Sequence, residues 1–279
     1  MNNYKAVHIV LDETKDKDLF VALLSELGFE GFEEKEEELI AYISEMEMPE
    51  KLALEEIVEN NSYRVEEIPD QNWNALWESN YPSVLLEGFC GIRADFHPYF
   101  EDVQYEITIN PRMSFGTGHH ATTKLMMKMM KEVSFIGKNV LDFGTGTGVL
   151  SILASKMGAK TVIAVENDSN AVGNAKDNIL KNEISNVDVL CNDNLAGVEN
   201  DKAVVLANIT KNIILEHAAE MSEKMTKKGD LLLSGLMEKD EGELTKVFEK
   251  KGFKLMKRLQ DSAWIGLHFT MDSSDCVSR

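Results

Sequence analysis

The sequence predicts an α/β protein in two parts: a doubly wound parallel sheet ending in an antiparallel edge hairpin, preceded by a small α+β domain. Three observations lead there. From Lys138 onward, short apolar segments of strand length alternate with helical stretches. Several of these segments, AVVLAN and DLLLSG among them, are continuously apolar, as strands are when helices cover both faces of a sheet. The last two, GFKLMKRLQ and AWIGLHFTM, follow one another without an intervening helix and read as a hairpin at the sheet edge. The 279 residues are enough for two domains, each with its own core.

The first domain is drawn at residues 1–68. YKAVHIVL (4–11) reads as a strand and DKDLFVALLSELG (16–28) as a helix closed by Gly28. After an ill-defined piece near Gly31 and Phe32, ELIAYIS (38–44) is a second strand. PEKLALEEIVEN (49–60) starts a helix on proline, and YRVEEI (63–68) is the closing strand. Two helices among three or four short strands suggest a split βαβ sandwich. The acidic run 33–38 is expected in a turn and at the start of a strand.

Charge separates this domain from the rest. The chain carries −19, of which residues 1–70, with 6 Lys/Arg against 20 Asp/Glu, hold −14. Such a module repels nucleic-acid phosphates and attracts a basic partner; solubility alone is the plainer reading of the same charge. PDQNWNALWESNYPS (69–83) is bracketed by Pro69 and Pro82 and reads as a linker helix with Trp73 and Trp77 on one face. The two rings serve equally well as a structural staple or a ligand contact. The remainder, 84–279, is the second domain, with helical segments near 148–157, 168–182, 211–227 and 238–251.

No apolar run reaches the roughly 18 residues of a membrane span, and MNNYKAVHIVLDETKDKD lacks a secretory pattern. Cys90, Cys191 and Cys276 are scattered and match no metal-ligand spacing, so reduced thiols in a cytoplasmic protein are expected.

The chemistry concentrates after LDFGTGTGVLS. Gly144, Gly146 and Gly148 follow a strand and open a helix, so backbone can approach a ligand closely beside unpaired helix N–H groups. A dinucleotide fingerprint needs glycine where Val149 stands, so a pyrophosphate site is not satisfied. Glu166 ends the next strand 22 residues after Gly144, where an acid accepts hydrogen bonds from ribose hydroxyls. Asp193, after the following strand, is placed to receive an adenine amino group or is an ordinary loop acid. Asp142 either contributes to the site or fixes the turn. Together these features suit an adenosyl ligand without phosphates, S-adenosylmethionine rather than NAD.

NPRMSFGTGHHATTKLMMKMM (110–130), LDFGTGTGVLSILASKMGA and VLANIT (205–210) resemble the bacterial ribosomal-protein lysine methyltransferases that trimethylate large-subunit ribosomal protein eleven. WNALWESNYPS is similar to that family's linker. The resemblance implies a class I S-adenosylmethionine-dependent methyltransferase with a Rossmann-like sheet and a basic ribosomal protein as partner, gripped by the acidic N-terminal domain. It also implies that Phe115, Gly116 and the residues up to Thr123 cover the cofactor held by Gly144 and its neighbours. Thr123, Gly144, Glu166 and Asn208 match the family's cofactor contacts, although many relatives have Asp where this chain has Glu166.

Asn208 ends a strand beside the transferred methyl, and its carbonyl can orient an amine; a plain strand-end cap is the alternative. Ile209-Thr210 replaces the Pro-Pro-aromatic clamp of adenine-amino methyltransferases, which with the acidic first domain disfavours nucleic acid as substrate. His119 and His120 are expected to shape the loop rather than to bind metal, with His120 either capping the following helix or taking part in catalysis. No residue stands out as general base. Other basic proteins, small molecules, or a non-catalytic cofactor-binding role are the competing readings.

Overall fold

The computed structural model describes residues 4–11, 17–35, 38–44, 48–49, 51–58, 61–68, 82–110 and 120–271. The chain divides into two compact units, Met1–Tyr81 and Pro82–Arg279.

In the first unit the order is β1 (Tyr4–Val10), α1 (Lys17–Glu26), β2 (Gly31–Glu34), β3 (Glu38–Ser44), α2 (Lys51–Val58) and β4 (Tyr63–Ile68). The strands form one antiparallel sheet in the order β2-β3-β1-β4. Because β3 lies between β1 and β2, each βαβ step straddles a strand, which is the split arrangement. Val7, Ile9, Leu24, Leu39, Ile43 and Leu54 are buried in its core. Where the sequence suggested a turn for the front of the acidic run, Glu33 and Glu34 are instead strand residues of β2. An edge strand tolerates them because one side of its backbone is unpaired, and charge there discourages strand addition. Trp73 and Trp77 of the expected linker helix lie outside the described residues.

The second unit opens with a three-stranded sheet that the sequence reading did not anticipate: β5 (Val84–Leu86), β6 (Cys90–Ala94) and β7 (Tyr105–Ile109). Its apolar side joins Phe89, Ile92 and Ile107 to the core under the helices of the main domain. Asn178 and Asn182 accept from the backbone N–H groups of Asn110 and Thr108 at 2.7 and 3.0 Å. These two asparagines tie the end of β7 to the main domain.

There follow α3 (Ala121–Met130), β8 (Asn139–Phe143), α4 (Val149–Lys156), β9 (Thr161–Glu166), α5 (Ser169–Lys181), β10 (Val187–Cys191) and β11 (Lys202–Asn208). The chain continues with α6 (Lys211–Glu216), α7 (Ala218–Lys224), β12 (Met225–Met237), α8 (Glu241–Glu249), β13 (Phe253–Asp261) and β14 (Trp264–Met271). The seven strands are ordered β10-β9-β8-β11-β12-β14-β13. β8 to β12 run parallel, and β14 and β13 join antiparallel to their neighbours as the edge hairpin. Val204 to Ala207 and Leu231 to Leu233 have no exposed surface, as doubly covered strands require. The single helix expected over 211–227 is broken at His217, and Met225 onward is already strand.

Chain order reverses direction across the sheet between β8 and β11, and this crevice at the carboxyl ends of the strands is where open α/β sheets bind ligands. Among the described residues no helix is long and apolar enough to cross a membrane.

Candidate active site

At the end of β8 the chain turns through Gly144, Gly146 and Gly148, with φ of +76°, +55° and +82°. Side chains other than glycine rarely adopt these values, so the three glycines make the turn possible. The amides of Gly144 and Thr145 donate to the Val165 carbonyl at 2.8 and 3.1 Å, pinning the loop to β9. Asp142, wholly buried, braces it from below: its Oδ2 accepts from the Thr145 and Ser151 hydroxyls at 2.6 and 2.7 Å. Burial pushes the Asp142 carboxyl above the usual carboxylate range. Of the two readings of Asp142, the hydrogen bonds support the turn-fixing one.

Glu166 stands at the end of β9. Its Oε2 accepts from the Gly146 amide at 2.9 Å, and its Oε1 from the Asn167 and Asp168 amides at 2.9 and 3.2 Å. The carboxylate therefore organises the glycine loop as well as facing the crevice. Cys191, at the end of β10, lies opposite Glu166, so Asn192 and Asp193 enter the same rim one strand further out. The Asp193 Oδ1 accepts from the Asn194 side chain at 2.8 Å.

On the other side of β8, β11 ends in Asn208. Its Nδ2 donates to the Thr123 hydroxyl at 3.3 Å, and its Oδ1 is buried with no hydrogen-bond partner. Thr123, like Thr122 beside it, is buried; its hydroxyl meets the site through Asn208, while His120 and Thr122 line that wall. His120 caps α3, its Nδ1 accepting from the Thr122 amide at 3.4 Å and hydrogen-bonding the Thr122 hydroxyl at 2.8 Å. Its ring meets Trp264 edge to face, centroids 4.8 Å apart.

These groups enclose one cleft of about 430 Å³, lined by His120, Thr122, Phe143, Gly144, Gly146, Glu166, Asn192, Asp193, Asn208, Ile209, Gly235 and Trp264, among others. The size is that of a small-molecule site, mostly apolar with a few convergent polar groups. Phe115, Gly116 and His119 lie outside the described residues. Gly148 caps α4 rather than lining the cleft. Sequence reasoning missed Trp264 and Gly235, and read Ile209 only as standing where a clamp for a flat base would be. Trp264 reads only as a strand residue of the hairpin, and nothing local ties it to a loop 120 residues earlier.

Against known proteins, a family model described as "Ribosomal protein L11 methyltransferase (PrmA)" matches residues 2–272. The chain belongs to this family. A ribosomal protein L11 methyltransferase of Porphyromonas gingivalis is 38% identical over 268 residues, covering 92% of this chain and 91% of that protein. One from Phocaeicola vulgatus is 36% identical over 263 residues, covering 91% and 93%. The crystal structure of a ribosomal protein L11 methylase from Lactobacillus delbrueckii subsp. bulgaricus superimposes with a TM-score of 0.63 at 26% identity, covering 69% of this chain and 98% of that one. By fold and family, then, this is a class I methyltransferase dependent on S-adenosylmethionine.

The residues present fit that cofactor. Gly144 and Gly146 of the glycine loop line the cleft without side chains, and two acids stand on β9 and beyond β10. Four lone-pair sites on Glu166 meet three backbone donors, so a ribose hydroxyl can share its carboxylate by modest adjustment.

Proposed function

We propose that the protein transfers methyl groups from S-adenosylmethionine to amines of ribosomal protein L11, and that the cleft is where the transfer takes place. The observation that carries the reading is the Asn208 Oδ1: buried, without a partner, and turned away from Thr123 because the amide nitrogen is already bonded there. An unsatisfied buried acceptor is costly unless a ligand supplies the donor. An amine N–H is such a donor.

In this reading Gly144 and Gly146 admit the cofactor's methionine end and ribose, Glu166 receives ribose hydroxyls, and Asp193 with Asn192 takes the adenine edge. The bound cofactor supplies a methyl group on a sulfonium, open to in-line attack. What the protein contributes is orientation and desolvation. A lysine of pKa about 10.4 is about 3.4 units from neutral at pH 7, a cost of about 4.6 kcal/mol. Phe143, Ile209, Ile213 and Trp264 wall the cleft with apolar surface, which disfavours the ammonium and offsets part of that cost. Asn208 accepts from an amine N–H and so aims the lone pair toward the donor; proximity and alignment supply much of the remaining acceleration. Among the described lining residues the only carboxylates are Glu166 and Asp193, both at the adenosyl end, so no carboxylate takes the amine proton.

The acidic first unit, with −14 over residues 1–70, suits capture of a basic ribosomal protein. The test is intact-protein mass spectrometry of unmethylated L11 incubated with enzyme and S-adenosylmethionine. The control is Gly144→Arg, whose side chain would start 2.2 Å from Ile209 Cγ2 at a positive φ. Mass gains in methyl steps, absent from the control, are expected. No gain from an enzyme that binds S-adenosylhomocysteine would discard L11 as substrate.

A further inference from the structure

The acceptor end of the cleft is aromatic and carries no acid among its described lining residues. Sheet order places Glu166 and Asp193 at β9 and β10, and Asn208, Gly235 and Trp264 at β11, β12 and β14, across β8. The second group is continuous. Asn208 donates to Thr123, the Thr123 amide donates to the His120 carbonyl at 3.1 Å, and the His120 ring lies edge to face with Trp264. Gly235 contributes no side chain, which lets the Ile209 backbone pass directly over it and sets the β11 end beside β12.

Each methyl transfer changes what this end must hold. The amine lone pair forms the new N–C bond as the donor's S–C bond breaks, so positive charge passes from sulfur to nitrogen. That cation then sheds a proton before the next round. The monomethyl product cation has two N–H groups, the dimethyl one, the trimethyl none. The hold of Asn208 Oδ1, which depends on N–H donors, therefore weakens as methyls accumulate. Attraction between an alkylammonium and an aromatic face does not need N–H groups, and Trp is the strongest of the side chains that provide it.

We propose that Trp264, supported by His120, is the residue that determines how far one amine is methylated. Its ring takes over the amine's methyl-bearing nitrogen as Asn208 loses its donors. The inference rests on the reading of the cleft as a methyl-transfer site. It adds that the site has two complementary grips, one for unmodified amines and one for methylated ones.

Trp264→Leu and Trp264→Met remove the ring, the second with an unbranched side chain able to fill the space. Trp264→Phe keeps a weaker aromatic face. On L11, mass spectra taken over time give the relative rates of the first and third methylations at each amine. S-adenosylhomocysteine binding by calorimetry reports that each variant is folded. The expected result is a fall of about tenfold in the third-to-first ratio for Leu and Met, with Phe between them and wild type. A second readout is binding of acetyl-trimethyllysine amide to the S-adenosylhomocysteine-loaded full chain, measured against its uncharged carbon isostere. Wild type should prefer the cation, and Leu should lose the preference. If Leu and Met keep the wild-type methylation ratio and the wild-type preference for the cation, Trp264 is packing only and the inference is overturned. Should wild type leave L11 unmethylated, the choice of substrate falls, and the trimethyllysine comparison still decides the role of Trp264.

Discussion

Gly235 sits at the irregularity of β12 with φ +82°, and a Cβ built on it would stand 2.4 Å from the Ile209 carbonyl oxygen, 2.8 Å from its carbon and 3.0 Å from its nitrogen. All three are backbone atoms, so no side chain can swing aside. Gly235→Ala must therefore move the β11 end by about 1 Å to restore ordinary contact. It must also hold alanine in the left-handed region at about 1–2 kcal/mol. The expected loss of stability is about 2–4 kcal/mol. Ile209 follows Asn208 directly, so the same shift displaces the acceptor oxygen, and misplacement on that scale costs about 100-fold in rate. Glu166 and Asp193 lie on the other side of β8 and keep their places. The assay pairs thermal melts and S-adenosylhomocysteine calorimetry with initial rates on L11. Cofactor affinity should change only about threefold while kcat falls by two orders of magnitude. A kcat within threefold of wild type, or a cofactor affinity that falls in step with kcat, would refute the reasoning.

Three further outcomes follow from the same geometry. Thr123→Val frees the Asn208 amide to rotate, so kcat should fall about tenfold with little change in cofactor affinity, and Thr123→Ser should restore most of it; equal effects of Val and Ser would show that the hydroxyl does not position Asn208. Glu166→Gln removes a charged acceptor from both loop and ribose, and S-adenosylhomocysteine binding should weaken about 10- to 100-fold by calorimetry. Asp230, remote from the cleft, is pushed up by burial but held below the usual carboxylate range by hydrogen bonds and charge from His268 and Lys138. Because its folded value is depressed, the stability it confers is present above the ordinary pKa of about 3.9 and lost as pH falls through the folded value. Asp230→Asn should thus lower Tm clearly at pH 7, with the gap from wild type closing as the pH drops toward 3; a gap that widens on acidification contradicts the assignment.

Much of the catalytic domain was legible because its signals are local. Each continuous apolar strand is a run of neighbours, and the three glycines and Glu166 lie within one βαβ stretch, where spacing along the chain corresponds to distance in space. The edge hairpin was legible for the same reason. Residues whose role depends on distant partners were not. Trp264 enters the cleft only because β14 returns beside β12, and Gly235 matters only because Ile209 passes over it. Thr123 resembles a ligand contact in the glycine-histidine stretch, and only the fold shows its hydrogen bond to Asn208, 85 residues away. The sheet of β5 to β7 escaped notice because its strands run only three to five residues between loops. His217 interrupts a helical pattern that composition alone continues.

The two halves of the cleft also differ in when they come into being. The cofactor half has all its residues once residue 193 has been made, whereas the acceptor half waits for Trp264, 71 residues later. At a synthesis rate of about 5–20 residues per second, that interval is about 4–14 s. The residues that meet the methyl donor are thus synthesised well before those that hold the amine. An enzyme that works on a component of the ribosome is in this way still without its acceptor wall while most of its own chain is being translated.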